Sequence, residues 1–314
     1  VSAFIGNDVV IFKQNTVTID MFGSAKYRSY NYGADDHVAV VHTEELSQRA
    51  AIFVASALNK AAHTGAFDYS RNFYAKDADA LTIKLPVNQK GNPDYKAMDN
   101  YIGTIEAGRI NALDKYLNDT GLNDYRLTNE ESGAVSDFQN GGGITYLKFS
   151  YKSLFQNIVQ GHRLKKDDHV LGTLPFVMSG VTNNGIADYI GNPVRVFPNN
   201  SLTVDIFGNV FYRNYEYGMG DDTGAFWNDD NHIDKYAMMF IASTMQKRML
   251  GKFDYGNKLR SSQSLDFTVS LPAKSDGTPD YKEMSLFMRA VEKTILKDIV
   301  DWKTEKLATL SITA

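Results

Sequence analysis

The sequence predicts an α+β chain in which one domain is written twice in tandem, each copy followed by a long helix, the two helices pairing as an antiparallel coiled coil. The first observation is a repeat: Ile83–Met98 and Val269–Met284 agree at 8 of 16 positions at a shift of 186, and Ile5–Gly33 and Ile190–Gly218 at 15 of 29 at a shift of 185. Stacked repeats have periods of roughly 20 to 50 residues, so this one marks a duplicated domain. The second is that strand-like and helix-like patterns alternate within each copy, and the third is a long apolar stripe at helical spacing after each. The 314 residues fit two domains at roughly 150 each. The boundaries read as 1–92 for the first copy, 93–121 for the first helix, 122–145 for a linker, 146–278 for the second copy and 279–311 for the second helix.

Val9–Phe12 and Thr16–Met21 are β-rich runs flanked by Gly and Asn, with Val194–Phe197 and Ser201–Ile206 as their counterparts, and all four are expected as strands. Glu45–Ala62 and Asp234–Leu250 place Ile52, Val54, Ala55 and Leu58, then Tyr236, Met239, Phe240 and Met245, at helical spacing, so each should be a helix on the sheet. Leu81–Leu85 and Phe267–Leu271 read as one more strand each, ended by Pro86 and Pro272, which cannot donate to a ladder. The second copy has Tyr146–Ile186 ahead of the shared block, whereas the first begins directly at Val1. Either a segment upstream of Val1 is missing or the first copy is a natural short form.

Pro93 and Pro279 suit the first turn of the long helices, and Asp94 and Asp280 suit the positive end of the helix dipole. Met98, Tyr101, Ile102, Ile105, Ala112, Leu113, Tyr116 and Leu117 form the first stripe; Met284, Phe287, Met288, Val291, Ile295, Ile299 and Trp302 form the second. Of these, Met98, Tyr101, Ile105 and Ala112 are expected to meet Met284, Phe287, Val291, Ile295 and Trp302 in the pair, or to hold a partner. The competing arrangement packs each helix flat on its own domain.

Composition excludes several classes of function. Without cysteine there are no disulfides, thiolate metal sites or cysteine nucleophile, and a reducing cytoplasm is the expected compartment. No run approaches a membrane span, no leader pattern is visible, and Val1 is not an initiator methionine. A net charge of -4 argues against a global basic field, so a nucleic acid would have to meet local patches. Asn92-Pro93-Asp94-Tyr95 resembles the tetrapeptide with which adenine methyltransferases hold a flipped base, but it departs at the third position and reads as a helix start. Pro279-Asp280 with Asp301-Trp302-Lys303 mimics a nuclease pattern, yet it falls along one helix over roughly 30 Å, too far for one metal. The histidines (His37, His42, His63, His162, His169, His232) show no ligand spacing, and Gly141-Gly142-Gly143 lacks the Lys-Ser/Thr of a phosphate loop and reads as a flexible joint. No active site and no metal site is expected.

Recognition loops remain. Met245–Arg260 carries Lys247, Arg248, Lys252, Lys258 and Arg260 against Asp254, with Phe253 and Tyr255 interleaved. Gly161–Lys166 holds Arg163, Lys165 and Lys166; Phe211–Tyr215 sets Arg213 between aromatics; and Ser179–Gly185 offers Ser179, Asn183 and Asn184. In the first copy Lys26, Arg28, Tyr69 and Arg71 stand in comparable places. Such groups contact phosphates and base edges. Against each stands the plainer reading of a solvated charged face, core aromatics or a simple turn.

The order Lys148-Phe149, Leu154-Phe155, Gly161-His162-Arg163-Leu164, Leu174-Pro175-Phe176-Val177, Asn183-Asn184-Gly185, Phe253-Asp254-Tyr255-Gly256 and Leu271-Pro272 to Pro279-Asp280-Tyr281 resembles the target-recognition domain of restriction–modification specificity subunits, type I and BcgI-like. The resemblance covers essentially the whole chain; it rests on the order and duplication of motifs that are individually weak. It implies a protein without catalysis of its own, whose two target-recognition domains each read half of an asymmetric, split site in double-stranded DNA while the paired helices act as a ruler. It also implies methyltransferase subunits docked on the helices, a restriction subunit as a further partner, no membrane, and S-adenosylmethionine and Mg2+ only in the partners. Helices of 26 to 30 residues span roughly 39 to 45 Å, comparable to the roughly 34 to 36 Å of one duplex turn. Phe67-Asp68-Tyr69 matches Phe253-Asp254-Tyr255, whereas Ala66, Arg71 and Asn72 face Lys252, Asn257 and Lys258, a difference suited to unlike half-sites. Two other classes stay open: the fused specificity region of a single-chain restriction–methylation enzyme, and a duplicated carbohydrate- or protein-binding module. A hydrolase is disfavoured, because no nucleophile–base pair is visible.

Overall fold

The computed structural model describes residues 9–312, so the matching Ile5-Gly6-Asn7 lies outside the described residues. The chain divides into two units, residues 1–121 with 301–314, and residues 122–300.

In the first unit β1 (Ile11–Phe12) pairs antiparallel with β4 (Tyr32–Gly33), and β2 (Thr16–Ile19) is the middle strand between β3 (Ala25–Arg28) and β5 (Ala39–Val41). All four residues of β2 are buried, and the polar ones are satisfied: the Thr16 hydroxyl is bonded to Lys13 and Tyr32, and Thr18 Oγ1 to Arg28. Helix α1 (Gln48–Ala62) lies on this sheet through Ala50, Val54, Ala55, Leu58 and Ala62, a stripe at helical spacing, and Ser47 caps it by accepting from the Ala50 N–H. Gly23, at φ 79°, passes so close to the end of α1 that a Cβ there would sit 2.5 Å from the Ala62 carbonyl oxygen. The short α2 (Ala75–Ala80) and the long α3 (Tyr95–Asp119) follow. At 25 residues, α3 is about 38 Å long.

In the second unit the stretch expected as a linker contains a packed helix. Helix α4 (Asn129–Asn140) starts at a capping box in which Thr128 and Glu131 bond each other's N–H groups, and Gly141 ends it in the left-handed conformation. Then come β6 (Thr145–Ser150), the single turn α5 (Tyr151–Leu154), β7 (Asn157–Gln160), β8 (Leu171–Val177) and β9 (Ile186–Ile190). These precede β10 (Ser201–Asp205), β11 (Val210–Arg213), β12 (Gly218–Met219), β13 (Thr223–Trp227), α6 (Lys235–Met249), β14 (Thr268–Ala273) and α7 (Tyr281–Ile312). The central sheet has the order β11-β10-β13-β7; β12-β8-β9 forms a second, with β12 parallel to β8, and β14 pairs with β6. The main core gathers Leu202, Val204 and Phe226 from the sheet, Ala237, Met238, Ile241 and Met245 from α6, and Met284 from α7. Phe138 of α4 packs on Phe287 of α7 with ring centroids 4.1 Å apart.

Four expectations are corrected. Leu81–Leu85 is not a strand: its counterpart β14 pairs with β6, and at the same shift nothing in residues 9–312 stands where β6 would be. Val194–Phe197 shrinks to a single bridge, Phe197 with Tyr217, because the next residue, Gly218, is paired with Phe176 of β8. Pro272 does not end its strand. Its carbonyl points away from β6, accepting from the Asp280 N–H, and the missing N–H falls on that same side. Pro93 and Pro279 lie just ahead of the long helices, and Asp94 and Asp280 occupy the capping positions, accepting from the N–H groups of Ala97 and Glu283 at 3.0 and 3.1 Å.

Helix α7, 32 residues long and about 48 Å, has residues 281–300 in the second unit and 301–312 in the first. Its inward stripe differs from the expected one. Met284, Ala290, Val300 and Lys303 are buried, whereas Ile295, Ile299 and Trp302 are exposed. On α3 the buried residues are Met98, Ile110 and Leu117; Tyr101, Ile105, Ala112 and Tyr116 face solvent. Met98 and Met284, expected in the helix pair, belong instead to the cores of their own units, and Phe287 packs on Phe138. Among the described residues no helix is long and apolar enough to cross a membrane.

Candidate nucleic-acid interface

One polar bracket occurs in each unit at a shift of 185. In the first, Arg28 Nε donates to Thr18 Oγ1 and Nη1 to the Tyr30 hydroxyl, while the Tyr32 and Thr16 hydroxyls share a hydrogen bond. In the second, Arg213 donates to Thr203 at 3.0 Å and Tyr215 at 2.9 Å, and Tyr217 shares a hydrogen bond with Ser201. The Asp20 carboxylate accepts from the N–H groups of Phe22 and Ser24, as Asp205 does from Phe207 and Asn209. Tyr27 donates to Asn15 and Tyr212 to Asn200. These bonds fix the hairpins that carry the loops.

Arg213 itself is corrected. Expected as a surface reader, it is 1% exposed, its guanidinium lying over the Phe211 and Tyr217 rings with the Gly185 turn of the β8–β9 connection against it. A Cβ on Gly185 would stand 3.6 Å from its Nη2, and that nitrogen has no partner. Burial drives the neighbouring Tyr217 hydroxyl far above its ordinary pKa. Arg28, with the same bonds, is half-buried.

The loops above Arg213 are accessible. Asn183 and Asn184 are exposed and adopt φ of 48° and 52°, the left-handed region Asn tolerates, in a turn closed by the Met178 N–H donating to the Gly185 carbonyl. Ser179 is half-buried, and the next residue, Gly180, donates its N–H to Asp205 at 3.0 Å. Arg163, Lys165 and Lys166 all face solvent. Their loop leaves the sheet at Gly161, which only glycine can occupy: a Cβ there would lie 2.2 Å from the Gly220 carbonyl oxygen. Nearby His169 Nδ1 lies 3.0 Å from Asp188, and this contact holds the Asp188 carboxyl below its usual range.

The third loop turns on Asp254, whose carboxylate accepts from the N–H groups of Gly256 and Asn257. Tyr255 is 82% exposed, set edge-on against Phe207, with the half-buried Lys258 over its ring and Lys252 in solvent. Arg260 is engaged locally, donating to the Asp221 carbonyl at 2.8 Å. Gln160, the residue before the Gly161 loop, accepts from Ser261, the residue after the Arg260 loop, and donates to the Asp221 carbonyl. The two basic loops therefore share one root.

The first unit repeats part of this. Asp68 organises the turn through Ser70 and Arg71; Tyr69 is 85% exposed and edge-on to Phe22; Arg71 and Lys26 are exposed, with Arg71 over the Phe67 ring. Sequence reasoning missed Arg195, exposed over the Phe197 and Trp227 rings, and the bare Leu171 and Val181 beside the same loops. The alternation Val194-Arg195-Val196 is the only signal that pointed to it. Asp35, Asp36 and His37 stand close together on an exposed turn, where Asp35 accepts from the His37 N–H.

Residues 145–300 match the type I restriction modification DNA specificity domain. Residues 145–300 thus carry a restriction–modification specificity domain. The chain is 26% identical over 255 residues to the specificity subunit S.BcgI of a type II restriction enzyme from Heyndrickxia coagulans, covering 80% of this chain and 69% of that protein. The fold is that of the S subunit of a type I restriction–modification system from M. genitalium, with a TM-score of 0.55 at 14% identity over 96% of this chain and 81% of that one.

Proposed function

We propose that the chain reads an asymmetric, two-part site in double-stranded DNA through tandem target-recognition domains, residues 1–92 and 146–278, and that methyltransferase subunits dock on its long helices. The carrying observation is that one hydrogen-bonded scaffold recurs in both units while the residues at its loop tips differ: Tyr69 and Tyr255 agree, but Arg71 and Asn72 stand where Asn257 and Lys258 do. A shared frame with unlike tips is what two different half-sites require. Phosphate contacts fall to Arg163, Lys165, Lys166 and Lys252, and to Lys26 and Arg71 in the first unit; base-edge contacts fall to Asn183, Asn184 and Lys258.

The helices support the ruler. Lys303 Nζ lies 2.7 Å from Asp114 of α3, and Lys306, farther along α7, lines a cleft with Arg109 and Ile110, which precede Asp114. Rising numbers on one helix against falling numbers on the other support antiparallel pairing. The exposed Tyr101, Ile105 and Tyr116 on α3, and Ile295 and Ile299 on α7, are the apolar groups a methyltransferase subunit would cover. Methyl donor and metal would reside in such partners.

The test is co-expression with the cognate methyltransferase and mapping of modified adenines across the host DNA. A split motif with two unlike halves is expected. A soluble complex that modifies no defined motif, or a chain that binds glycan or peptide and no methyltransferase, would overturn the reading.

A further inference from the structure

The last third of α7 carries Lys303, Leu307 and Leu310 at the four- and three-residue spacing of a coiled-coil seam, the lysine buried and both leucines half-buried. Lys303 is 4% exposed and its ammonium lies 2.7 Å from Asp114 Oδ1. Asp114 sits between the two residues α3 buries along this stretch, Ile110 at 8% and Leu117 at 2% exposed. A buried ammonium is costly without a counter-charge, and an apolar seam tolerates sliding by whole heptads because each apolar rung resembles the next. A charged rung removes that degeneracy: displacing α7 by seven residues, about 10 Å, would pull Lys303 from Asp114 and leave a buried ammonium without this carboxylate.

We infer that the Lys303–Asp114 pair is the register pin of the α3–α7 contact, and through it a determinant of the spacer length between the two halves of the DNA target. The register half of this inference stands on the ion pair alone; the spacer half rests on the function proposed above.

The chain has no cysteine, so spin labels can be placed cleanly on Lys96→Cys and Glu305→Cys, both exposed positions of α3 and α7. With Lys303 and Asp114 intact, electron–electron distance measurements should give one narrow distribution. Lys303→Leu, which keeps the seam apolar and the chain folded by circular dichroism, should add a second population displaced by about 10 Å. The exchange Lys303→Asp with Asp114→Lys should restore the single distance. An unchanged narrow distribution in Lys303→Leu would overturn the pin. In the complex with methyltransferase, Lys303→Leu should broaden the spacer of the modified motif, and an unchanged spacer beside a shifted distance distribution would overturn the spacer half. Absence of any motif with the unaltered chain would instead count against the proposed function and leave the distance result standing.

Discussion

Arg28 and Arg213 make the same two hydrogen bonds, to a threonine and a tyrosine at matching positions, yet one is half-buried and the other sealed. What differs is the cover: in the second unit the Gly185 turn between β8 and β9 lies against the guanidinium, which is 1% exposed, whereas Arg28 is half-buried. The role of a residue type is therefore set by a stretch distant in sequence. The same arginine is a core strut in one unit and a partly accessible cation in the other.

Unequal cost on removal is the largest expected effect. Arg213→Ala should destabilise the second unit by about 3 kcal/mol or more, since it empties a packed site and leaves the Thr203 and Tyr215 hydroxyls without their donor. Arg28→Ala should cost about 1 kcal/mol. Denaturant unfolding of both variants measures this, and equal losses would break the comparison.

Alkaline stability separates the units next. Burial pushes Tyr151 and Tyr281 of the second unit up to about 12, and it also raises Tyr27 and Tyr32 of the first. The unfolded chain releases these phenolic protons near pH 10 and the folded chain retains them, so stability is intact below pH 10 and is lost as pH rises toward 12. Tyr151 alone should account for about 2 to 3 kcal/mol of that loss, and the second unit should unfold first in a pH titration followed by circular dichroism. A first unit that melts at lower pH would contradict this ordering.

Tyr151→Phe sharpens the point at smaller scale. The Tyr151 hydroxyl is buried without a partner, so its removal should be neutral or stabilising by about 1 kcal/mol at pH 7 and should abolish its share of the alkaline loss. A clear destabilisation at neutral pH would show that the hydroxyl has a role in the fold. The least effect on stability, under about 0.5 kcal/mol, is expected of Lys165→Ala with Lys166→Ala on their exposed loop. Their effect belongs to DNA, where the salt dependence of binding should flatten by about 2 in log–log slope; an unchanged slope would remove both lysines from the interface.

The strands β2 and β10 and the helices α1, α3, α6 and α7 were legible in the sequence because periodicity and capping residues are local signals. Helix α4 was legible too, in Thr128 and Glu131 three residues apart, but the glycines that follow drew attention to flexibility instead. The burial of Arg213 was not, since its cover lies some thirty residues upstream. Nor was the turn of α7: Ile299 and Trp302 carry the stronger apolar signal, yet Val300 and Lys303 are buried, and an acid on α3 supplies a counter-charge for the lysine. The loop tips Tyr69 and Tyr255 were found by comparing the two copies, which separates what is retained from what varies.

The division of α7 between the units carries a consequence for synthesis. Residues 301–312 belong with a unit whose other members end at Gly121, so that unit is discontinuous in the chain. At roughly 5 to 20 residues per second, the ribosome would need on the order of 10 to 40 s between Gly121 and the segment that pairs Lys303 with Asp114. During that interval Asp114 of α3 must wait for Lys303, and the second unit can fold to completion before the first one closes.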